Sequence, residues 1–139
     1  MTLAEGLEEY YRANAGRILR PNDLSEESKE LFRRHDICHV IFGLDTSLAD
    51  ETMADARTLL SCDVGLGCYA GYLRTSPEAR AIFKELGYGN AVLATLKAVP
   101  RILAAIGESR RMRKRWPWSP PNAYLGRTLA DLRDRKSVV

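Results

Sequence analysis

The sequence predicts an all-α fold, a compact single-domain helical bundle of about six to seven helices. Helix start and stop signals recur along the chain, with apolar residues three and four apart between them, and no stretch alternates apolar and polar as a half-buried strand does. A length of 139 residues suits one domain, spanning 1–139, in which folding buries roughly two-thirds of the unfolded surface. Apolar residues make up 45% and charged ones 28%, the balance of an ordinary globular protein rather than a disordered one.

Thr2-x-x-Glu5 reads as a capping box that opens a first helix. Leu3, Leu7, Tyr10 or Tyr11, and Ile18 lie near one face of it, and Pro21 is expected to end the segment. Asp23 or Ser25 caps a second helix through Leu31, Phe32 and His35 to about Phe42, with Gly43 as its stop. Thr46 or Ser47 caps a third, carrying Glu51, Met53, Leu59 and Leu60. The apolar stretch from Val64 to Leu73 spaces Gly67 and Gly71 as a flat strip for close helix contact. Ser76-Pro77-Glu78 opens a fifth helix and Gly87 closes it. A sixth is expected from Asn90, with Leu93, Leu96, Val99, Leu103 and Ile106 as a core stripe kinked near Pro100. A basic run, a Trp-Pro-Trp and a short helix after Thr128 complete the chain.

Cys38, Cys62 and Cys68 are odd in number and form no CxxC pair, which argues against a disulfide framework and a cysteine zinc site. Three mostly buried thiols in a reducing compartment are expected. The opening Met1-Thr2-Leu3-Ala4-Glu5 soon turns acidic, unlike a secretory signal or an Arg-rich transit peptide. Ala91 to Ile106 is interrupted by Lys97, Pro100 and Arg101, too short and too charged to span a bilayer. The expected location is cytoplasmic, peripheral on the inner face of the membrane.

Charge is unevenly distributed. Residues 110–139 hold nine Lys/Arg against two Asp, a local +7, while residues 1–109 carry −4. Arg110, Arg111, Arg113, Lys114 and Arg115 precede Trp116 and Trp118. Such a run is either a solvated helix end, where cations suit the dipole, or a contact for anionic lipid headgroups with the indoles at the interface. A phosphate site for an isoprenoid is a third reading. Nucleic acid is not expected as a partner, because no recognition motif accompanies the charge.

The strongest chemical signal is a pair. The chain's two histidines stand four apart in His35-Asp36-Ile37-Cys38-His39, a spacing that random placement gives about one time in seventy. On a helix, His35 and His39 are about 40° apart and Asp36 about 60° from His39, so three potential ligands share one face. Glu51, in the first turns of the third helix, would fold back to add a carboxylate. Acidic residues early in a helix suit the macrodipole, so Glu51 alone says little. The candidate metal ligands are therefore His35, Asp36, His39 and Glu51, with Asp36 a fourth ligand or an orienter of a histidine. One divalent ion is expected; two imidazoles and a carboxylate suit iron as well as zinc, and the carboxylates alone would suit magnesium. A zincin protease would need H-E-x-x-H, and an HD-type phosphohydrolase further histidines.

His35-Asp36-x-x-His39, eleven intervening residues, then Glu51 resembles the H-D-x-x-H-x11-E signature of the coenzyme Q biosynthesis protein 4 (Coq-four) family. The flanking Phe32-Arg33-Arg34 and Val40-Ile41-Phe42-Gly43-Leu44 are similar in flavour, as are Leu125, Leu129, Leu132 and Arg133 to its closing Leu-rich helix. The resemblance implies a helical domain holding a divalent metal at those four positions. It implies a role in ubiquinone biosynthesis: metal-dependent removal of the C1 carboxyl of a polyprenylated hydroxybenzoate, by a lyase-type or an oxidative decarboxylation at the membrane surface. The alternative is a non-catalytic, lipid-binding scaffold that organises quinone-biosynthesis enzymes around a structural metal. Expected partners are a prenylated aromatic or isoprenoid lipid, an anionic membrane surface, other quinone-biosynthesis proteins and a second copy in a homodimer.

Overall fold

Ser25, Ser47 and Ser76 each hold the extended backbone of a helix N-cap, and the helix that Ser25 opens runs through the interior of the fold. A computed structural model describes residues 1–136; the last three positions of the expected 1–139 domain lie outside the described residues. Among the described residues seven α-helices run in the order α1 Leu3–Ala13, α2 Glu26–Phe42, α3 Leu48–Ser61, α4 Leu66–Thr75, α5 Pro77–Leu86, α6 Tyr88–Arg111 and α7 Leu129–Lys136, with short 3-10 turns at Pro21–Asp23 and Asn122–Tyr124. The fold is all-α. Among the described residues the only β pairings are the isolated bridges Thr2 with Thr128 and Cys62 with Trp116.

The local signals set most boundaries. The Thr2–Glu5 capping box forms in both directions. Ser47 accepts from the Asp50 N–H and Ser76 from the Ala79 N–H, each satisfying a donor that the helix cannot use itself. α1 stops well before Pro21: Asn14 caps its end, its side-chain amide donating to the Tyr10 carbonyl at 2.9 Å and its Oδ1 accepting from the Thr46 hydroxyl at 2.9 Å. α6 begins at Tyr88, two residues ahead of Asn90, because Gly87 at φ +77° both ends α5 and turns the chain into α6.

α2 is the central helix, packed by α1, α3, α4, α5 and α7. Its Leu31, Ile37, Cys38, Val40 and Ile41 join Leu3, Leu7, Tyr10 and Tyr11 of α1 and Leu129 and Leu132 of α7 in the main core. Gly6 lets α1 approach: a Cβ there would stand 3.0 Å from Val40 Cγ1 and 3.1 Å from a Leu129 methyl. Both ends of α2 are capped from a distance. Glu78 of α5 accepts from the Ser25 N–H at 2.8 Å, the Ser25 hydroxyl at 2.9 Å and the Ser28 hydroxyl. These bonds hold its carboxyl down at about 2. At the other end Arg133 donates to the Val40 and Ile41 carbonyls at 2.8 and 3.1 Å.

Three expectations are corrected here. Trp116 and Trp118 are core residues, 4% exposed each. The segment that carries them returns along the end of α3, pairing with Ser61 and Asp63, and Tyr69 and Tyr124 pack on the indole rings. They are therefore not available at a membrane interface. Gly67 and Gly71 pack against nothing, with no atom within 4 Å of an added Cβ. Leu93, Leu96, Val99 and Leu103 of α6 do not form a core stripe. They are 40–63% exposed, and α6 instead sets Ala98, Ile102 and Ala105 against Met53 and Leu60 of α3 and against Leu44. Alanines win that face because α3 and α6 are also drawn together by the ion pairs Arg101–Asp50 and Arg57–Glu108, and short side chains allow the closest helix approach. By length and composition alone α6 is apolar enough to cross a membrane, with mean hydropathy 1.3 over a window that is 17% buried.

Candidate metal centre

The histidines lie on the last turns of α2, where Gly43, in the left-handed conformation at φ +68°, ends the helix. Asp45 and Asp50 then brace a tight link: Asp45 accepts from the Ser47 N–H at 2.7 Å and Asp50 from the Asp45 N–H at 2.9 Å. The link folds α3 back on α2 and sets Glu51 opposite both imidazoles.

Three ligand atoms converge. His35 Nε2 is 3.1 Å from His39 Nε2 and 3.1 Å from Glu51 Oε2, and His39 Nε2 is 3.4 Å from the same oxygen. Donors about 2.0–2.1 Å from one tetrahedral ion stand about 3.3 Å from each other, so the triangle has the dimensions of a metal face. Among the described residues His35, His39 and Glu51 are the group able to hold an ion. Two nitrogens and one carboxylate oxygen fit zinc, iron or another divalent cation.

Asp36 does not join them. Its carboxylate is buried and accepts from the Tyr11 hydroxyl at 2.9 Å, so α1 claims the side chain that the helical wheel placed near His39. Burial raises its carboxyl to about 6, opposed by the charge of His35 and the Tyr11 bond. The residue facing the outer nitrogen of His35 is Asp55, 3.9 Å from Nδ1 and itself bonded by the Tyr69 hydroxyl at 2.5 Å. Asp55 lies one helical turn after Glu51, and that i, i+4 spacing of carboxylates was the signal that could have found it. His39 is fully buried and its ring stacks on Tyr10 with centroids 5.4 Å apart. His39 Nδ1 has no hydrogen-bond partner among the described residues.

The electrostatics favour a cation in this triangle. Burial opposes charge on His35, but the Glu51 bond and the charges of Asp55, Glu51 and Asp36 outweigh it and raise the imidazole to about 9. Glu51 resists burial in the same way: its bonds to His35 and His39 pull the carboxyl down to about 2. The carboxylates that favour a charged imidazole would equally favour a bound cation. Tyr10 and Tyr11 are pushed far up by burial and by Asp36, which keeps both phenols neutral.

Glu51 also borders a cavity of about 480 Å³ lined by Asn14, Arg17, Ile18, Asp45, Thr46 and Ser47. Arg17 is its only cationic lining residue. Of the other positions singled out in the sequence, Arg110, Arg111, Arg113, Lys114 and Arg115 are all exposed, at and just beyond the end of α6. No family model, no curated protein and no solved structure matches this chain.

Proposed function

We propose that His35, His39 and Glu51 hold a catalytic divalent metal, zinc first, and that the chain acts in ubiquinone biosynthesis by removing the C1 carboxyl of a polyprenylated hydroxybenzoate. The observation that carries the metal reading is the triangle of donors at 3.1–3.4 Å. With Asp36 bonded to Tyr11, three protein ligands remain, one fewer than a closed tetrahedral site would need. An open position marks catalytic rather than structural sites, which favours the enzyme over the scaffold with a structural metal. The substrate rests on the resemblance of the His35-Asp36-x-x-His39…Glu51 spacing to the Coq-four signature.

When bound, the metal would supply Lewis-acid stabilisation of negative charge on an oxygen of the aromatic head group. The chain's own residues do the rest. Arg17, with Asn14, Thr46 and Ser47 lining the same cavity, would bind and orient the anionic head group beside Glu51. Asp55 would fix the His35 ring from its far side. Asp36, buried and bonded by the Tyr11 hydroxyl, stays out of the donor set. Loss of the carboxyl as CO₂ would leave its electron pair on the ring carbon, which takes a proton; in the oxidative alternative dioxygen would act as the two-electron oxidant and leave as hydrogen peroxide, while water supplies the hydroxyl that takes the place of the carboxyl.

The test has two parts. Elemental analysis of chelator-free protein should find about one divalent ion per chain, lost in His35→Ala and His39→Ala. Prenylated hydroxybenzoate labelled at the carboxyl should then release labelled CO₂ with zinc, iron or magnesium restored. Glu51→Ala should abolish that release and Arg17→Ala should raise KM. Metal retained in the double histidine variant overturns the site. Release that is equal without metal, or absent with every metal while the chain still restores quinone synthesis in a deficient strain, overturns the enzyme and leaves the scaffold.

A further inference from the structure

We infer that the outward face of α6, together with the basic cluster that follows it, is a membrane-docking surface that lies in the plane of an anionic bilayer without crossing it. At 100° per residue, Tyr88, Val92, Leu96, Val99 and Leu103 fall on one stripe of α6, roughly opposite the Ala98 and Ala105 stripe that faces α3. All five are exposed, from 40% at Val99 to 91% at Tyr88, and Leu93 beside them is 50% exposed. The neighbouring α5 adds exposed Ile82 and Phe83. A patch of this kind on a soluble protein marks a contact surface.

Charge selects the occupant. Residues 88–115 hold seven Lys/Arg against one Glu, and that Glu108 is paired with Arg57. Arg110 continues the apolar stripe by helical angle, and Arg111, Arg113, Lys114 and Arg115 gather at the same end. None of the five has an ion pair among the described residues. An apolar face bordered by unpaired cations is the composition of a helix lying at the headgroup boundary of an anionic leaflet. A second copy fits less well. Two helices pairing need only a narrow seam, whereas Leu93, Pro100 and Ala104 widen this face to about half the circumference.

A transmembrane reading of α6 is set aside by its other face. The Arg101–Asp50 and Arg57–Glu108 pairs and the buried Ala98 and Ala105 bind the second half of α6 to α3. Lifting it across a bilayer would strip the helix that carries Glu51. The docking surface does not depend on the metal reading, so the two fail separately.

The experiment is flotation of the full chain with vesicles of phosphatidylcholine alone or with about a third phosphatidylglycerol. Binding should be at least tenfold stronger to anionic vesicles and fall as salt rises. Arg110→Gln/Arg113→Gln/Lys114→Gln should lose at least tenfold, since each cation near the surface is worth about fivefold. Leu96→Gln/Leu103→Gln should lose a similar factor on anionic vesicles. Both variants should keep wild-type helicity and metal content, because the changed side chains are exposed. His35→Ala should bind vesicles as wild type does. Tryptophan emission should not shift on binding, since both indoles are in the core. Binding unchanged in either multiple variant overturns the proposal. So does a lipid-free dimer dissolved by Leu96→Gln/Leu103→Gln in protein that does not bind vesicles, which would assign the face to a second copy.

Discussion

α2 and α6 are the two longest helices, and they use their apolar residues in opposite ways. α2 is the more polar by composition, yet Leu31, Ile37, Val40 and Ile41 are all buried, and its His39 is buried with them. α6 is richer in Leu and Val, yet its buried residues are Ala94, Ala98 and Ala105, while Leu93, Leu96, Val99 and Leu103 face outward. Burial here follows position in the bundle rather than side-chain size. A helix surrounded by five others buries most of its apolar residues, and a helix packed chiefly on α3, with α5 beside it, buries the side that fits closest. The proposed metal site sits on the covered helix, where packing can lock its ligands. The proposed contact surface sits on the helix left half open.

The largest effect that could break this comparison comes from truncating one residue in each helix. Ile37→Ala, at a fully buried site, should cost about 2–5 kcal/mol in urea unfolding. Leu96→Ala, 63% exposed, should change stability by less than about 0.5 kcal/mol. A loss near 2 kcal/mol at Leu96 would show that the face is already covered in solution.

Metal and pH sharpen the same contrast. At a hundredfold excess over Kd, zinc should stabilise the wild type by about 2.7 kcal/mol, and His39→Ala not at all. The pH dependence should differ in sign with and without metal. In the metal-free protein His35 is raised from 6.5 to about 9. Its contribution is therefore complete below about 6.5 and is lost as pH rises through about 9. Glu51, lowered from 4.5 to about 2, contributes above about 4.5 and ceases to as pH falls through about 2. Ligation requires neutral imidazole, so stabilisation by zinc should grow across the interval from 6.5 to 9 in which the apo-protein weakens. Melting curves at several pH values, with zinc and with chelator, measure the difference, and a zinc effect flat across that interval would place the ion elsewhere.

How much of this was legible in the sequence divides along the same line. Caps and stops depend on neighbours in the chain, so Thr2 with Glu5, Ser47, Ser76-Pro77, Gly43 and Gly87 could be read directly, and they fix the helix ends. The His35–His39 pair and the folding back of Glu51 were legible for the same reason. Helical periodicity correctly grouped Leu96, Val99 and Leu103 on one face of α6 but carried no information about which face meets α3. Asp36 was placed near His39 by angle, and only the arrival of Tyr11 from α1 decides that its carboxylate turns away. Trp116 and Trp118 follow a basic run, and nothing local indicates that the chain then returns to the core along Ser61 and Asp63.

The smallest effect tests the glycines. Gly6 and Gly71 both lie inside helices, so replacing either by alanine gains helix propensity of up to about 1 kcal/mol. Their surroundings differ. At Gly71 nothing lies within 4 Å of the new methyl, so Gly71→Ala should raise stability by about 0.5–1 kcal/mol. At Gly6 the methyl would meet Val40 and Leu129 at 3.0 and 3.1 Å. Both neighbours are held in the core, and Val40 is fixed further by Arg133 on its carbonyl. Overpacking of about 1–3 kcal/mol should therefore outweigh the propensity gain and leave Gly6→Ala less stable than wild type. Urea midpoints of the two variants, which share one chemical change, should move in opposite directions. If Gly71→Ala is also destabilising, something covers α4 in solution, and the open half of the molecule extends less far than α4.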